Sequence, residues 1–331
     1  MKKLMNSADT FVDEMLDGLC EAHPGLVRDA VDPRVIRRAR MSGTPKVGIV
    51  SGGGSGHLPL FTGYIGPGLL DACAIGNVFA GPNVSSSVTA MRAADSGRGV
   101  LRLYGNYGGD RMNFDIAGEM LEEEGIRSTT VLGTDDIASA APAEASKRRG
   151  VAGLIYAYKT AGAMADAGAD LEEVTRVAAK TVSRMRTIGC AFSPTQLPGA
   201  DRPTFTLADD EIEMGMGIHG EPGIWRDKLK PADVIADEML ERLLDEIPEG
   251  ADDRVAVLVN SLGATSLEEL FIVYRRVSQR LKAAGRRIVQ PLVGRYVTSL
   301  EMGGASISLL HVDDELERLL AAPADCPFWR V

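Results

Sequence analysis

Short apolar runs closed by glycine alternate with amphipathic stretches through the first half of the chain. The run KVGIVSGGG (46–54) is followed by GVLRLYGN (99–106) and STTVLG (128–133). Each has the length of a strand and is bounded by turn residues. Between the last two lies RMNFDIAGEMLEEEG (111–125), a helical pattern that stops on Gly125 as helices often do. AGLIYAYKTAGAMADAG and DLEEVTRVAAKTVSRMRT then predict two consecutive long helices. Strands alternating with helices predict a mostly parallel sheet with crossover helices.

A second set follows: IGCAFSP (188–194), EIEMGMGIHG (211–220), VAVLVNSLG (255–263) and ASISLLHVDD (305–314), separated by helical patterns near 230–245 and 266–284. The fold class is therefore α/β, with two domains, each a mostly parallel or mixed sheet flanked by helices. The boundary is expected near residue 186, giving domains 1–186 and 187–331. Within EIEMGMGIH the alternation is strict. Ile212, Met214, Met216 and Ile218 share one face, and Glu211, Glu213, Gly215, Gly217 and His219 share the other. The two glycines are expected to clear space beside His219 for a ligand.

Composition narrows the class. At 331 residues, with 45% hydrophobic and 25% charged residues, the chain has material for about two ordinary soluble domains. No run approaches the roughly 18 apolar residues of a membrane span. The start, MKKLMNSADTFVDEMLDGLC, has acidic residues where a signal peptide needs its apolar stretch. It reads as a cytoplasmic N-terminus forming an amphipathic helix. A net charge of −10 with scattered basic residues argues against nucleic acid or an anionic membrane as partner. Cys20, Cys73, Cys190 and Cys326 lie far apart without a CxxC pair, so they are expected to be buried, reduced thiols, with no metal site.

Candidate chemistry sits at glycine-rich strand ends. IVSGGGSGHLP runs from a strand through glycines into His57 and a Pro-containing helix start, a nest of backbone N–H groups. It is neither a Walker loop nor GxGxxG. In LYGNYGGDRMNF, Asp110 precedes a helical pattern and on its own reads as an N-cap. Both loops follow parallel strands, so both should open on the carboxyl edge where ligands bind, and His57 and Asp110 form a candidate acid–base pair. His23 and His311 are read as structural, and Asp209, Asp210 and Glu211 as a solvated turn.

In this order, SGGGSGH, NYGGDRMNF, GIHGEPG and TSLEMGGASISLL make the sequence resemble, end to end, the substrate-binding subunits of dihydroxyacetone kinases. The resemblance implies a ketose kinase with its substrate site between loops of both domains. It implies that a ring nitrogen of His219 adds to the substrate carbonyl as a hemiaminal. Asp110 is then the base toward the hydroxyl that is phosphorylated, and His57 hydrogen-bonds the substrate. Gly53 and Gly54 supply backbone contacts. Family members commonly carry a serine where this chain has Gly81, lysine and threonine where it has Gly105 and Gly108, and a polar residue where it has Leu58. The glycines imply a pocket widened at the end away from Asp110, open to dihydroxyacetone or to a larger ketose such as the tetrulose erythrulose. No nucleotide-binding signature stands in this chain. The resemblance therefore implies no cofactor on it, ATP–Mg²⁺ or ADP on a separate helical nucleotide-binding subunit, and a cytoplasmic homodimer. A non-catalytic, ketone-sensing coactivator is the other reading; the joint presence of His57, Asp110 and His219 favours the enzyme.

Overall fold

The computed structural model describes residues 2–331. The chain runs through α1 (Phe11–Ala22), β1 (Leu26–Arg28), β2 (Val35–Arg38), β3 (Gly48–Ser55), β4 (Ala72–Val78), α2 (Val84–Ala94), β5 (Val100–Gly105), α3 (Gly108–Glu123) and β6 (Ser128–Gly133). The helices α4 (Leu154–Asp166) and α5 (Leu171–Arg184) follow, then β7 (Met185–Ser193), β8 (Glu211–Met214), β9 (Trp225–Lys228), α6 (Ala232–Leu244) and β10 (Arg254–Ser261). The last elements are α7 (Leu267–Ala283), β11 (Arg287–Gly294), β12 (Gly303–His311), α8 (Asp314–Ala321) and the short pair β13 (Asp325–Cys326) and β14 (Trp329–Arg330). The amphipathic helix expected near the N-terminus is α1, which buries Val12, Leu16 and Leu19 along one face.

Two compact units result. One comprises the chain up to Gly133, Ile155–Lys180 and Arg318–Val331; the other comprises Thr134–Leu154 and Thr181–Glu317. Sequence reasoning divides the chain once, near 186, whereas these units interleave. The physical reasons are local. In the second unit Asp136 bridges to Thr187, and the Asp135 carboxylate accepts the N–H groups of Val151 and Gly153. In the first unit Lys159 Nζ donates to Leu319 O, and Trp329 meets Tyr64 and Tyr156 edge-on.

The sheet of the first unit has the order β1-β2-β4-β3-β5-β6. Its β4, β3, β5 and β6 are parallel, and β1 and β2 are antiparallel additions. Val50, Ala72, Ala74, Val100 and Tyr104 of the sheet pack on Met91 of α2 and on Phe114, Ala117 and Leu121 of α3. Burial of the valine, leucine, methionine and phenylalanine side chains among them is worth about 1.5–3 kcal/mol each. Because β3 and β5 are parallel neighbours, their carboxyl ends emerge side by side, as the two glycine-rich motifs require.

The second sheet has the order β11-β10-β12-β7-β8-β9. It is mixed: β10 and β11 are parallel and the other pairs antiparallel. Ile188, Val257, Val259, Ile307 and Leu309 pack on Met239, Leu240 and Leu243 of α6 and on Leu270, Val277 and Leu281 of α7. The strand expected over 211–220 is shorter. β8 stops at Met214 because Gly215 adopts φ +80°, a region glycine enters without a Cβ penalty. The excursion closes where Ile224 N–H donates to Met214 O at 2.8 Å.

Candidate active site

In the first unit the triple glycine is not a loop. Gly52, Gly53 and Gly54 lie inside β3, which pairs with β4 as far as Ser55. Their lack of side chains is a packing requirement. A Cβ on Gly53 would stand 2.2 Å from the Phe61 ring, and one on Gly54 would stand 2.6 Å from Ala80 N. The chain then turns at Gly56 (φ +102°) and delivers His57, which is 1% exposed. The expected helix start here is a turn followed by a single 3-10 turn at Thr62–Tyr64.

The His57 ring is stacked on Phe79 with centroids 5.0 Å apart and meets Phe61 edge-on at 6.4 Å. Phe79 holds φ +59°, a left-handed conformation that costs a non-glycine residue about 1–3 kcal/mol and persists only where the surroundings impose it. Phe79 N–H donates to Ser55 O, tying this strained residue to the end of β3.

Asp110 is not an N-cap. Tyr107 occupies that position, and Asp110 is the third residue of α3, where the unpaired N–H groups and dipole of the helix favour a carboxylate. A Cβ on Gly81 would lie 2.2 Å from Asp110 Oδ1, so Gly81 is directly against the carboxylate. This corrects the expectation that the missing side chain widens the pocket away from Asp110. Gly108, in contrast, faces open space. Asn113 Nδ2 donates to Pro82 O at 2.8 Å, fastening α3 to the same turn. His57 and Asp110 thus flank one segment, Phe79–Gly81, the first through Phe79 and the second against Gly81.

In the second unit His219 stands in the excursion after β8 with 23% of its side chain exposed. Glu221 holds it at two points. Its Oε2 accepts the His219 backbone N–H at 2.9 Å, and its Oε1 lies 2.9 Å from Nδ1. Burial pushes the Glu221 carboxyl up, yet the ring hydrogen bond and the charges of His219 and Arg149 hold it down at about 2. Arg149 reaches Glu221 at 3.7 Å and binds Asp136 through Nε at 2.9 Å and Nη2 at 2.8 Å. Ser299 Oγ donates to Ile218 O, and Glu213 accepts the Gly223 N–H at 2.7 Å, so both flanks of the loop are anchored.

The glycines before His219 do not open space for a ligand. A Cβ on Gly217 would lie 2.1 Å from Glu221 Oε2 and 2.5 Å from Arg149 Nη1, and one on Gly215 would meet Ala138 at 2.7 Å. They make room for the groups that hold the histidine. Sequence reasoning missed Glu221, Arg149 and Asp136. Glu221 stands within GIHGEPG and was open to detection there; nothing in the local sequence marks Arg149 or Asp136.

The other candidates behave as structural residues. His23 caps the end of α1 and lines a cavity of about 520 Å³ with Arg38, Arg40, Cys326 and Arg330, remote in sequence from the motifs above. His311 is fully buried in β12, and Asp209 and Asp210 are exposed. Cys73, Cys190 and Cys326 are buried free thiols, and Cys20 is half-buried. Among the described residues no group of His, Cys, Asp or Glu is placed to hold a metal ion, and no helix is long and apolar enough to cross a membrane.

Fold and site together define an α/β protein with a buried histidine and a helix-start carboxylate in one unit and a carboxylate-oriented histidine in the other. The chain belongs to the Dak1 domain family, whose model matches residues 17–328. It is 44% identical over 332 residues to the dihydroxyacetone-binding subunit of PTS-dependent dihydroxyacetone kinase 2 of Listeria innocua, covering 100% of both chains. It is 43% identical to the D-erythrulose kinase of Mycolicibacterium smegmatis, of which it spans 57%. The dihydroxyacetone kinase of C. freundii superposes with a TM-score of 0.91 at 32% identity, over 99% of this chain and 60% of that one.

Proposed function

We propose that this protein is the ketose-binding subunit of a dihydroxyacetone-type kinase, holding its substrate covalently for phosphorylation by a donor that a separate nucleotide-carrying subunit brings. The observation that carries this reading is the His219 ring, whose Nδ1 is held by Glu221, which assigns the bond to the carbonyl carbon to Nε2. The Nε2–C bond forms as the carbonyl π pair moves to oxygen, which takes up a proton. Capture fixes the orientation of the reacting hydroxyl, which lowers the entropic part of the barrier. Asp110 accepts the proton of that hydroxyl as its oxygen bonds to phosphorus and the donor's own P–O bond breaks. His57, held between Phe79 and Phe61, orients the same ketose by hydrogen bonding, and the Gly53–Gly54 backbone borders it.

The full-length match to a dihydroxyacetone-binding subunit supports dihydroxyacetone as substrate. The similarity to an erythrulose kinase favours a tetrulose as the second reading. Purified chain should bind dihydroxyacetone with a carbonyl carbon that moves to a tetrahedral ¹³C position, and His219→Ala should abolish that signal. With ATP alone it should phosphorylate nothing. With a nucleotide-carrying subunit added, kcat/KM for dihydroxyacetone and both erythrulose enantiomers ranks the two readings. An adduct on another residue, or turnover by the single chain, refutes the proposal.

A further inference from the structure

The clamp behind His219 has a consequence for the charge of the captured substrate. Glu221 spends one carboxylate oxygen on the His219 backbone N–H and the other on ring Nδ1. It is an acceptor at both, so in the free protein Nδ1 carries the proton. Alkylation of Nε2 leaves the ring two choices. If it loses the Nδ1 proton, a ring lone pair faces a carboxylate oxygen at 2.9 Å, two acceptors in contact. If it keeps the proton, an imidazolium faces its counter-ion across a charge-assisted hydrogen bond, the stronger arrangement.

Glu221 cannot easily swing away to relieve the first case. Arg149 stands 3.7 Å from its Oε2, Asp136 holds Arg149 through a hydrogen bond from Nε and an ion-pair contact with Nη2, and Arg149 Nη2 also reaches Gly215 O at 3.3 Å. Asp136 and Arg149 are nearly buried, so the pair is screened little by solvent. Gly217 is the void into which Glu221 and Arg149 fit. Among the charged groups of this unit that face the ring, Glu221 is in contact, Arg149 lies behind it, and Asp136 offsets the charge of Arg149.

Resting on the covalent-capture reading, we infer that Glu221 is a positioning residue, clamped by Arg149 and Asp136, that keeps Nδ1 protonated before and after addition. The captured ketose is therefore a hemiaminal on an imidazolium. The balance is explicit. Nε2 donates the electron pair of the new N–C bond, and the carbonyl π pair becomes a lone pair on oxygen. That oxygen takes its proton from solvent water while Nδ1 keeps its own. Capture by the neutral ring thus draws about one proton from solution for each ketose bound.

The test uses the full chain labelled with ¹⁵N at histidine, with [2-¹³C]dihydroxyacetone as probe near pH 8, where the Asp136 carboxyl, raised by burial to about 6, is ionised. In the free protein the His219 resonances should show a protonated Nδ1 and a lone pair on Nε2. On adding the probe, Nε2 should move to an alkylated position while Nδ1 stays protonated. Calorimetry in two buffers of different ionisation heat should show the proton uptake. Glu221→Gln should lose the Nδ1 proton in the adduct and bind the probe about tenfold or more weakly, the scale of one charge-assisted hydrogen bond. Arg149→Met should move both readouts the same way by less.

A wild-type adduct with a bare Nδ1, capture without proton uptake, or a Glu221→Gln protein that captures as tightly with its ring unchanged overturns the inference and leaves covalent capture standing. No adduct at all in wild type refutes the capture reading itself. If a variant fails to fold, the wild-type spectra and proton count decide alone.

Discussion

Glycines carry the detail of this site, for reasons that differ from position to position. Gly215 supplies a left-handed turn, Gly217 a void for Glu221 and Arg149, and Gly81 a void for the Asp110 carboxylate. The last of these yields a sharp expectation. A side chain at 81 cannot coexist with Asp110 as placed, and what must yield is the end of a short side chain. Gly81→Ser should therefore displace the Asp110 carboxylate and lower kcat toward the loss expected for Asp110→Asn, about 10²–10⁴-fold. The ¹³C signature of ketose capture should persist in both variants. Steady-state kinetics with the nucleotide-carrying subunit, alongside the NMR titration, separates the two effects. A Gly81→Ser enzyme with unchanged kcat would mean that the turn absorbs the side chain and that Asp110 keeps its place.

At the level of elements, the parallel neighbours β3 and β5 bring two sequence-distant motifs to one edge, and helix ends finish the arrangement. The fold of the second unit leans on α7, whose start is a complete capping box. Ser266 Oγ accepts the Glu269 N–H, and the Glu269 carboxylate in turn accepts the Ser266 N–H. Three core leucine and valine positions follow on the same helix. Ser266→Ala should destabilise the protein by about 1 kcal/mol, read as a lower denaturant midpoint at unchanged slope. Ketose capture should be unaffected, since α7 carries none of the candidate residues. The motif S-L-E-E at 266–269 is legible without coordinates, as were the glycine that ends α3 and most of the helices. β8 is shorter than the pattern predicts because period-2 alternation continues past Gly215, and nothing in alternation reports a φ of +80°.

For the whole molecule, stability against acid has an identifiable contributor. His311 is fully buried, neither of its nitrogens has a hydrogen-bond partner among the described residues, and burial together with Arg286, Arg186 and Arg184 pushes it down to about 4. The unfolded chain takes up a proton there below about pH 6.5, and the folded ring refuses it until about pH 4. Stability is therefore full above that window and falls as the pH drops through it, by up to about 3 kcal/mol. Asp136 acts in the opposite sense, since its folded carboxyl binds a proton first, at about 6. Comparing wild type with His311→Leu isolates the histidine: urea midpoints should fall from pH 7.5 to pH 5 more steeply in wild type than in the variant. Parallel pH profiles would show that His311 is protonated, or solvated, in the folded protein.

The sequence by itself determined the α/β class, most of the helices, half of the strands, and the candidate residues His57, Asp110 and His219. These rest on local signals: hydrophobic period, caps, and chemistry-bearing residues beside glycines, all written within a few neighbouring positions. The tertiary structure alone decided what those glycines are for. Gly53 and Gly54 are packing sites within a strand, Gly81 abuts Asp110, and Gly217 admits Glu221 and Arg149. It also supplied Arg149 and Asp136, which lie 70 and 83 positions before His219 in the chain. A void is defined by what surrounds it, and the surroundings of each glycine come from segments the local sequence does not name. The same holds for the mixed sheet of the second unit, whose strand pairings join positions more than a hundred residues apart, such as Ile188 with Ile307.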